Sequence, residues 1–357
     1  MKNIKNILLS EIANKITPYQ WEKGDLEEYL RFDTNTLPFV PYGLNNFLRL
    51  MGESCPVNEY GDPNYTKLKI LIAGYEGVKP EMISITNSGD EAIDVLGKAF
   101  LNPGDKFVTT PPTYEMYGLQ CIINKGINIE VPLVQSDYSL DTDKVITTEN
   151  NLKPKIIFLC NPNNPTGTII EQKDIENILK NTGSIVVVDE VYREFYGKSS
   201  LSFLNHYKNL IILRSFSKFA SLAGARVGYI IANPKYVQIF EAIRFPMGVS
   251  FLSYKLAEYV LEKGMRKANN NIGIIIKERK RIIEELMRLG LFVYPSEANF
   301  LLVNVGDKAR TICKLLKRKK IIIRDRSNKK YLEGCIRITV RSPKENMILI
   351  KTLKEIL

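Results

Sequence analysis

At 357 residues, with 45% hydrophobic and 25% charged residues, the chain is long enough for two domains, or for one large domain with an appendage, around a sizeable core. Its net charge of +11 raises nucleic acid as a partner, but there is no C₂H₂ pattern and no aromatic sheet motif of the RNA-recognition type, so none is expected. Five scattered cysteines (Cys55, Cys121, Cys160, Cys313, Cys335) form no C-x-x-C pair, which fits reduced thiols in a cytoplasm and not a disulfide framework or zinc site.

No apolar run approaches the roughly 18 residues of a membrane span, and no secretory leader is expected. The single histidine, His206 in "FLNHYKNL", rules out a multi-histidine metal site, and no metal is expected. It lies outside any nucleophile-elbow context and reads as a surface-loop residue.

In chain order, residues 1–45 are expected to pack with a small C-terminal domain. Residues 46–245 follow as a large one. There, apolar runs predict strands at "EMISIT" (81–86), "DKFVTT" (105–110), "KIIFLC" (155–160), "SIVVVD" (184–189), "NLIILR" (209–214) and "RVGYIIA" (226–232). Several are apolar throughout, as strands covered on both faces are. Between the first two, Ala92, Leu96, Ala99 and Phe100 line one helical face, which Asn102-Pro103-Gly104 ends. Alternation of strands and helices predicts a doubly wound α/β domain with a mostly parallel sheet.

Residues 246–357 read as a smaller α+β domain. A helical region at 252–290 precedes strands at 299–305, 320–325 and 334–340. A last helix carries Met347, Ile350, Leu353 and Leu357 on one side. The basic stretches "KERKRIIEELMRLG" and "KLLKRKKIIIRDR" interleave charged with apolar residues, as solvated faces do.

Three polar stretches stand at the C-terminal ends of predicted strands, the edge where open α/β sheets bind ligands. They are "CNPNNPTG" (160–167), "VVVDEVY" (186–192) and "SFSK" (215–218). Asp189 follows four apolar residues, and a carboxylate is costly to bury there unless a cation meets it. By itself it could be a satisfied strand-end residue or a helix cap. Lys218, with Ser215, Ser217 and Arg226 close in sequence, supplies a lysine beside an anion cradle. A lysine by a phosphate site with a carboxylate across the pocket is what pyridoxal 5′-phosphate requires: the lysine meets its aldehyde and the carboxylate its pyridinium nitrogen. "TNSGDEA" ends a strand and opens a helix, so the amides of Gly89 and Asp90 are placed for an anion. Tyr114 could lay its ring on the pyridine face, although a packed loop tyrosine would look the same. Asn164 and Tyr192 are candidates for the ring oxygen.

With these motifs in hand, the chain resembles the fold-type-I pyridoxal-phosphate aminotransferases, and most of all the histidinol-phosphate aminotransferase family. The likeness runs from "ITPYQ" (16–20) to "GCIRITV" (334–340), through "NEYGDPNY", "SGDEAIDVL", "PPTYEMY", "CNPNNPTG", "VVDEVYREF", "ILRSFSKFASLAGARVGY", "SEANFLLV" and "IIIRDR". The resemblance implies Lys218 as the lysine that condenses with the cofactor, Asp189 on the pyridine nitrogen, and Asn164 with Tyr192 on the ring oxygen. It implies Tyr114 as the stacking aromatic, and Ser215, Ser217, Arg226 and the Gly89–Asp90 amides as the phosphate cradle. Tyr60 matches a tyrosine that reaches the neighbouring subunit's cofactor, hence a homodimer. Arg337 matches the arginine for the substrate's distal acid group, with Tyr19 and Arg324 as helpers.

Two departures stand out. Arg341 replaces a glycine after I-T-V, and "NTLP" (35–38) stands where N-E-N-P is usual; both are expected near the substrate side. The implied reaction moves an amino group from histidinol phosphate, or another small phosphorylated amine, to 2-oxoglutarate, with Lys218 carrying the proton. Within the fold, a decarboxylase of a phosphorylated amino acid and an aromatic aminotransferase are the alternatives. A pyridoxal-phosphate-binding transcription regulator would need a DNA-binding module before residue 17, where no room is expected.

Overall fold

The computed structural model describes residues 12–14 and 27–357. Among the described residues, twelve strands form two sheets. Strand β1 (Leu30–Phe32) precedes the helix Leu44–Ser54 and the helix Thr66–Glu76. Then come β2 (Ile83–Thr86), β3 (Lys106–Thr109), β4 (Ile127–Glu130), β5 (Ile156–Cys160), β6 (Ile185–Asp189), β7 (Leu210–Ser215) and β8 (Gly228–Ile231). The last four are β9 (Phe292–Val293), β10 (Phe300–Asn304), β11 (Ile321–Asp325) and β12 (Cys335–Thr339).

The larger sheet runs β2-β8-β7-β6-β5-β3-β4, parallel except for β8, which is antiparallel to both its neighbours. It is an α/β sheet with helices on both faces. Two apolar layers cover it, and alternate residues of each central strand feed them. Phe158, Val187, Ile211 and Leu213 face one layer with Ala92, Ile93 and Leu96 of the helix Ser88–Phe100. Ile157, Leu159, Val186, Val188 and Ile212 face the other. β-branched residues suit strands buried on both sides because their stiff side chains pack on a pleated surface.

The register brings Cys160, Asp189 and Leu213 abreast, so the loops leaving β5, β6 and β7 emerge side by side. Gly228 draws β8 against the start of the helix Ser88–Phe100. A Cβ there would stand 2.6 Å from the carbonyl carbon of Ser88, so no larger residue fits.

The second sheet runs β1-β11-β12-β10-β9, and β1 pairs in parallel with β11. The predicted helical region is interrupted: Phe251–Tyr259 and Met265–Arg288 are joined by a π-helical turn at Val260–Gly264. The first of these packs on the helix Thr66–Glu76, with Tyr254 edge-on to Tyr65 and Lys67 near Glu258. None of the helices among the described residues is long and apolar enough to cross a membrane.

Two expectations need correcting. In the last helix, Pro343–Ile356, Met347 is 61% exposed and Leu357 also faces solvent, whereas Asn346, Leu349, Ile350 and Leu353 are buried. Nor are the basic stretches wholly solvated. Arg279 is buried against Glu297 and the Ala298 carbonyl, and Arg326 against Glu115. His206 is exposed, after the short helical turn Leu201–Asn205. All five cysteines are free thiols.

Candidate active site

The loops at the ends of β2, β5, β6 and β7 enclose a cavity of about 510 Å³, closed on its other side by residues 33–35 and by β11 and β12. Of the predicted site residues, Gly89, Asp90, Tyr114, Asn164, Asp189, Tyr192, Ser215, Ser217, Lys218, Arg226, Arg324 and Arg337 all line it. Tyr60 does not: it is 86% exposed on the surface of the single chain. Tyr19 lies outside the described residues.

Lys218 sits in the short helix Phe216–Phe219, which follows β7 directly. Ser215 caps that turn: its Oγ accepts from the Ser217 amide at 3.1 Å and donates to Ser217 Oγ at 2.9 Å. The cap fixes where the lysine leaves the backbone. Lys218 Nζ donates to the carbonyl of Thr34 at 3.2 Å. Burial pushes its amine down to about 8, and the guanidiniums of Arg337 and Arg226 add to the effect. A lysine in that state loses its proton far more readily than an exposed one, as a nucleophilic amine must.

Asp189 ends β6 and is buried. Its Oδ1 accepts from the Val191 amide at 3.0 Å and its Oδ2 from Tyr117 Oη at 2.6 Å. Burial raises its carboxyl to about 6, against the pull of those two bonds. Tyr192, just beyond, is buried edge-on to Phe300, and burial holds its phenol well above the usual tyrosine range.

At the start of the helix Ser88–Phe100, Arg226 donates to Ser88 Oγ and to Asp90 Oδ2, the latter at 2.7 Å. Ser88 and Arg226 both adopt left-handed backbone conformations, φ 67° and 55°. Such values are uncommon outside glycine and here fold the two segments toward one another. Asp90 also accepts from Tyr114 Oη at 2.8 Å, so its carboxylate stands beside the amides expected to bind an anion.

Arg337 is buried in β12, opposite Arg324 in the β11 register. It donates to Asn164 Oδ1 at 2.7 Å and to the Asp33 carbonyl, and lies 5.4 Å from the Phe300 ring centre. Arg341, by contrast, does not line the cavity. It forks onto Glu345 at 2.7 and 2.9 Å and donates to the Arg31 carbonyl, bracing the start of the last helix. The expectation that it lies at the substrate side is therefore corrected. Asn35 of the other departure does line the cavity, donating to Tyr192 Oη at 3.1 Å.

Tyr117, Asn35 and the Thr34 carbonyl were not among the sequence candidates. Tyr117 did leave a signal: it stands three residues after Tyr114 in "PPTYEMY", as the second residue of a helix that begins at Met116. The Thr34 carbonyl left none, because a backbone group carries no residue identity.

A lysine whose amine is depressed by burial, a buried carboxylate, a ring-bearing wall and a basic cradle at a helix N-terminus define a pyridoxal-phosphate enzyme of the aminotransferase type. The model of the class I and II aminotransferases matches residues 28–353, and the chain belongs to that family; its cofactor is pyridoxal 5′-phosphate. The chain is 41% identical over 356 residues to the histidinol-phosphate aminotransferase of Thermoanaerobacter pseudethanolicus, covering 99% of both chains. It is 36% identical to that of Caldanaerobacter subterraneus, again over 99% of each. Among solved structures, the histidinol-phosphate aminotransferase of Sinorhizobium meliloti in complex with pyridoxal-5′-phosphate superposes with a TM-score of 0.84 at 25% identity. That match covers 92% of this chain and 90% of the other.

Proposed function

We propose that the protein transfers the amino group of histidinol phosphate to 2-oxoglutarate. The observation that carries this reading is the meeting of Lys218, Asp189, Arg324 and Arg337 around one cavity. It joins a reactive amine to two guanidiniums suited to an acidic substrate group. The full-length relatives named for that reaction support the choice of donor.

The residues present fit the cofactor. Lys218 offers the amine for its aldehyde, Asp189 the carboxylate for its ring nitrogen, and Asn164 and Tyr192 polar groups for its ring oxygen. Tyr114 would cover the ring, and Ser215, Ser217, Arg226 and the Gly89–Asp90 amides would hold its phosphate. When bound, pyridoxal phosphate supplies an aldehyde conjugated to an electron-withdrawing ring.

The chain's own work is then positional and acid–base. With the cofactor bound, the Lys218 amine would take the proton from the substrate carbon that bears the amino group and give it to the carbon that had carried the cofactor's aldehyde. Asp189 keeps a positive charge favourable at the ring nitrogen. Arg337 and Arg324 hold the substrate's phosphate in one half-reaction and the oxo acid's carboxylate in the other, a double duty that a planar guanidinium fork suits.

Residues 1–45, 46–245 and 246–357 are read as an N-terminal segment, a large domain and a small domain. Tyr60 is read as serving a second subunit: it is exposed, with Val57, Val40 and Tyr42 exposed nearby in sequence. Sedimentation of the active protein as a dimer checks that part. A cytoplasmic setting goes with the reduced thiols.

Arg337→Ala tests the substrate class. It should raise KM for histidinol phosphate by about tenfold or more, the loss expected of a charge-assisted hydrogen bond, and affect an uncharged aromatic donor much less. Equal losses on both donors would count against phosphate recognition at Arg337. Release of carbon dioxide from threonine phosphate, with no keto product from histidinol phosphate, would contradict the transfer reading.

A further inference from the structure

Asp189 is held through both carboxylate oxygens, and only one of its partners is a side chain. That partner is Tyr117, whose hydroxyl stands 2.6 Å from Oδ2. The distance falls in the short range of O–H donors facing an ionised carboxylate. Tyr117 has no exposed surface. Its ring stacks on Phe158 at 5.0 Å and 9°, which fixes the direction of the hydroxyl. On its other side Tyr114 meets it edge-on, at 5.6 Å and 82°. One side chain thus touches both the carboxylate assigned to the ring nitrogen and the aromatic assigned to the ring face.

We propose that Tyr117 is a positioning residue for the reaction, keeping Asp189 ionised and aimed at the cofactor's ring nitrogen while backing the ring of Tyr114. The inference rests on the reading of Asp189 given above.

The physical need is specific. Asp189 ends a strand whose neighbours Val187, Ile211 and Leu213 are wholly buried and apolar. In such surroundings a carboxyl group prefers its neutral form, and a neutral acid cannot favour a positive charge across from it. The Val191 amide donates to one oxygen. The phenol donates to the other, and such donors stabilise the ion over the acid. Without it, Asp189 loses part of its charge and one of its two restraints.

The test is a double-mutant cycle on cofactor affinity, with dissociation constants measured for the cofactor-free protein titrated with pyridoxal phosphate. Tyr117→Phe keeps the ring and its stack on Phe158. It should weaken binding by about 10- to 100-fold, the span of one charge-assisted hydrogen bond. Asp189→Asn should weaken it at least as much. The double variant should bind no more weakly than Asp189→Asn alone, because the hydroxyl acts through the carboxylate. Binding by Tyr117→Phe within twofold of the unaltered protein would overturn the proposal while leaving Asp189 in place. So would losses that simply multiply, since they would mean that Tyr117 supports the pocket independently. If Asp189→Asn itself binds normally, the reading of Asp189 fails, and the proposal with it.

Discussion

Lys218 has the Thr34 carbonyl and two nearby guanidiniums around it, and that environment has a consequence for stability. In the cofactor-free protein its amine is held at about 8, against an ordinary lysine value of 10.5. Below about pH 8 both folded and unfolded chains carry the proton. Between about 8 and 10.5 the unfolded chain still binds it and the folded chain does not, so this residue's contribution to stability rises with pH. Denaturation of the cofactor-free protein and of Lys218→Met at pH 7.5 and 9.5 should show the unaltered protein gaining relative to the variant. A constant difference would mean that the amine is not depressed. The lysine itself was legible because a strand-end "SFSK" is chemically odd: a lysine among serines and aromatics serves no solvated face. Asp189 was legible for the same reason. Tyr117 left only its spacing from Tyr114, because its role depends on a contact with a strand end 72 residues away in sequence.

At the scale of elements, the strand runs were readable to within a residue or two because a doubly covered sheet demands unbroken apolar stretches. In the last helix Ile350 and Leu353 are buried as read, but Met347 was read into the place that the polar Asn346 takes on the buried face. Asn346 is buried so that it can donate to Glu278 and to the Arg341 carbonyl, which hides the true stripe from a hydrophobic pattern. A second hidden feature is the ionic cluster on the far side of β6 and β7 from Asp189. Arg214, 1% exposed, pairs with Glu190 at 2.7 Å, bonds Ser199 Oγ at 2.8 Å and lies 3.7 Å from Glu76. Glu190 and Arg214 directly adjoin Asp189 and Ser215 in sequence, so the cluster ties together the ends of the two strands that present the site. Arg214→Met removes the ion-pair partner of the buried Glu190, which should cost about 3–5 kcal/mol of unfolding free energy in urea. A loss below about 1 kcal/mol, the value of an exposed pair, would show that the cluster is not held in this way.

At the scale of the whole molecule, the two sheets meet across the cavity. β5, β6 and β7 deliver the lysine, the carboxylate and Asn164, while β11 and β12 deliver Arg324 and Arg337. Residues 33–35 bridge the two sides, because Asn35 bonds Tyr192 on one and Thr339 on the other. Composition and periodicity could predict the separate sheets but not that crossing, which is set by side-chain hydrogen bonds 157 and 304 residues apart in sequence. The resemblance supplied it instead. The central claim is that this cavity removes an amino group from histidinol phosphate. A single turnover tests it most directly: protein loaded with pyridoxal phosphate is mixed with histidinol phosphate alone, and the ketone formed is measured against active subunits. One equivalent per subunit is predicted, with glutamate appearing only when 2-oxoglutarate is added afterwards. Absence of ketone from protein that holds its full complement of cofactor would contradict the account.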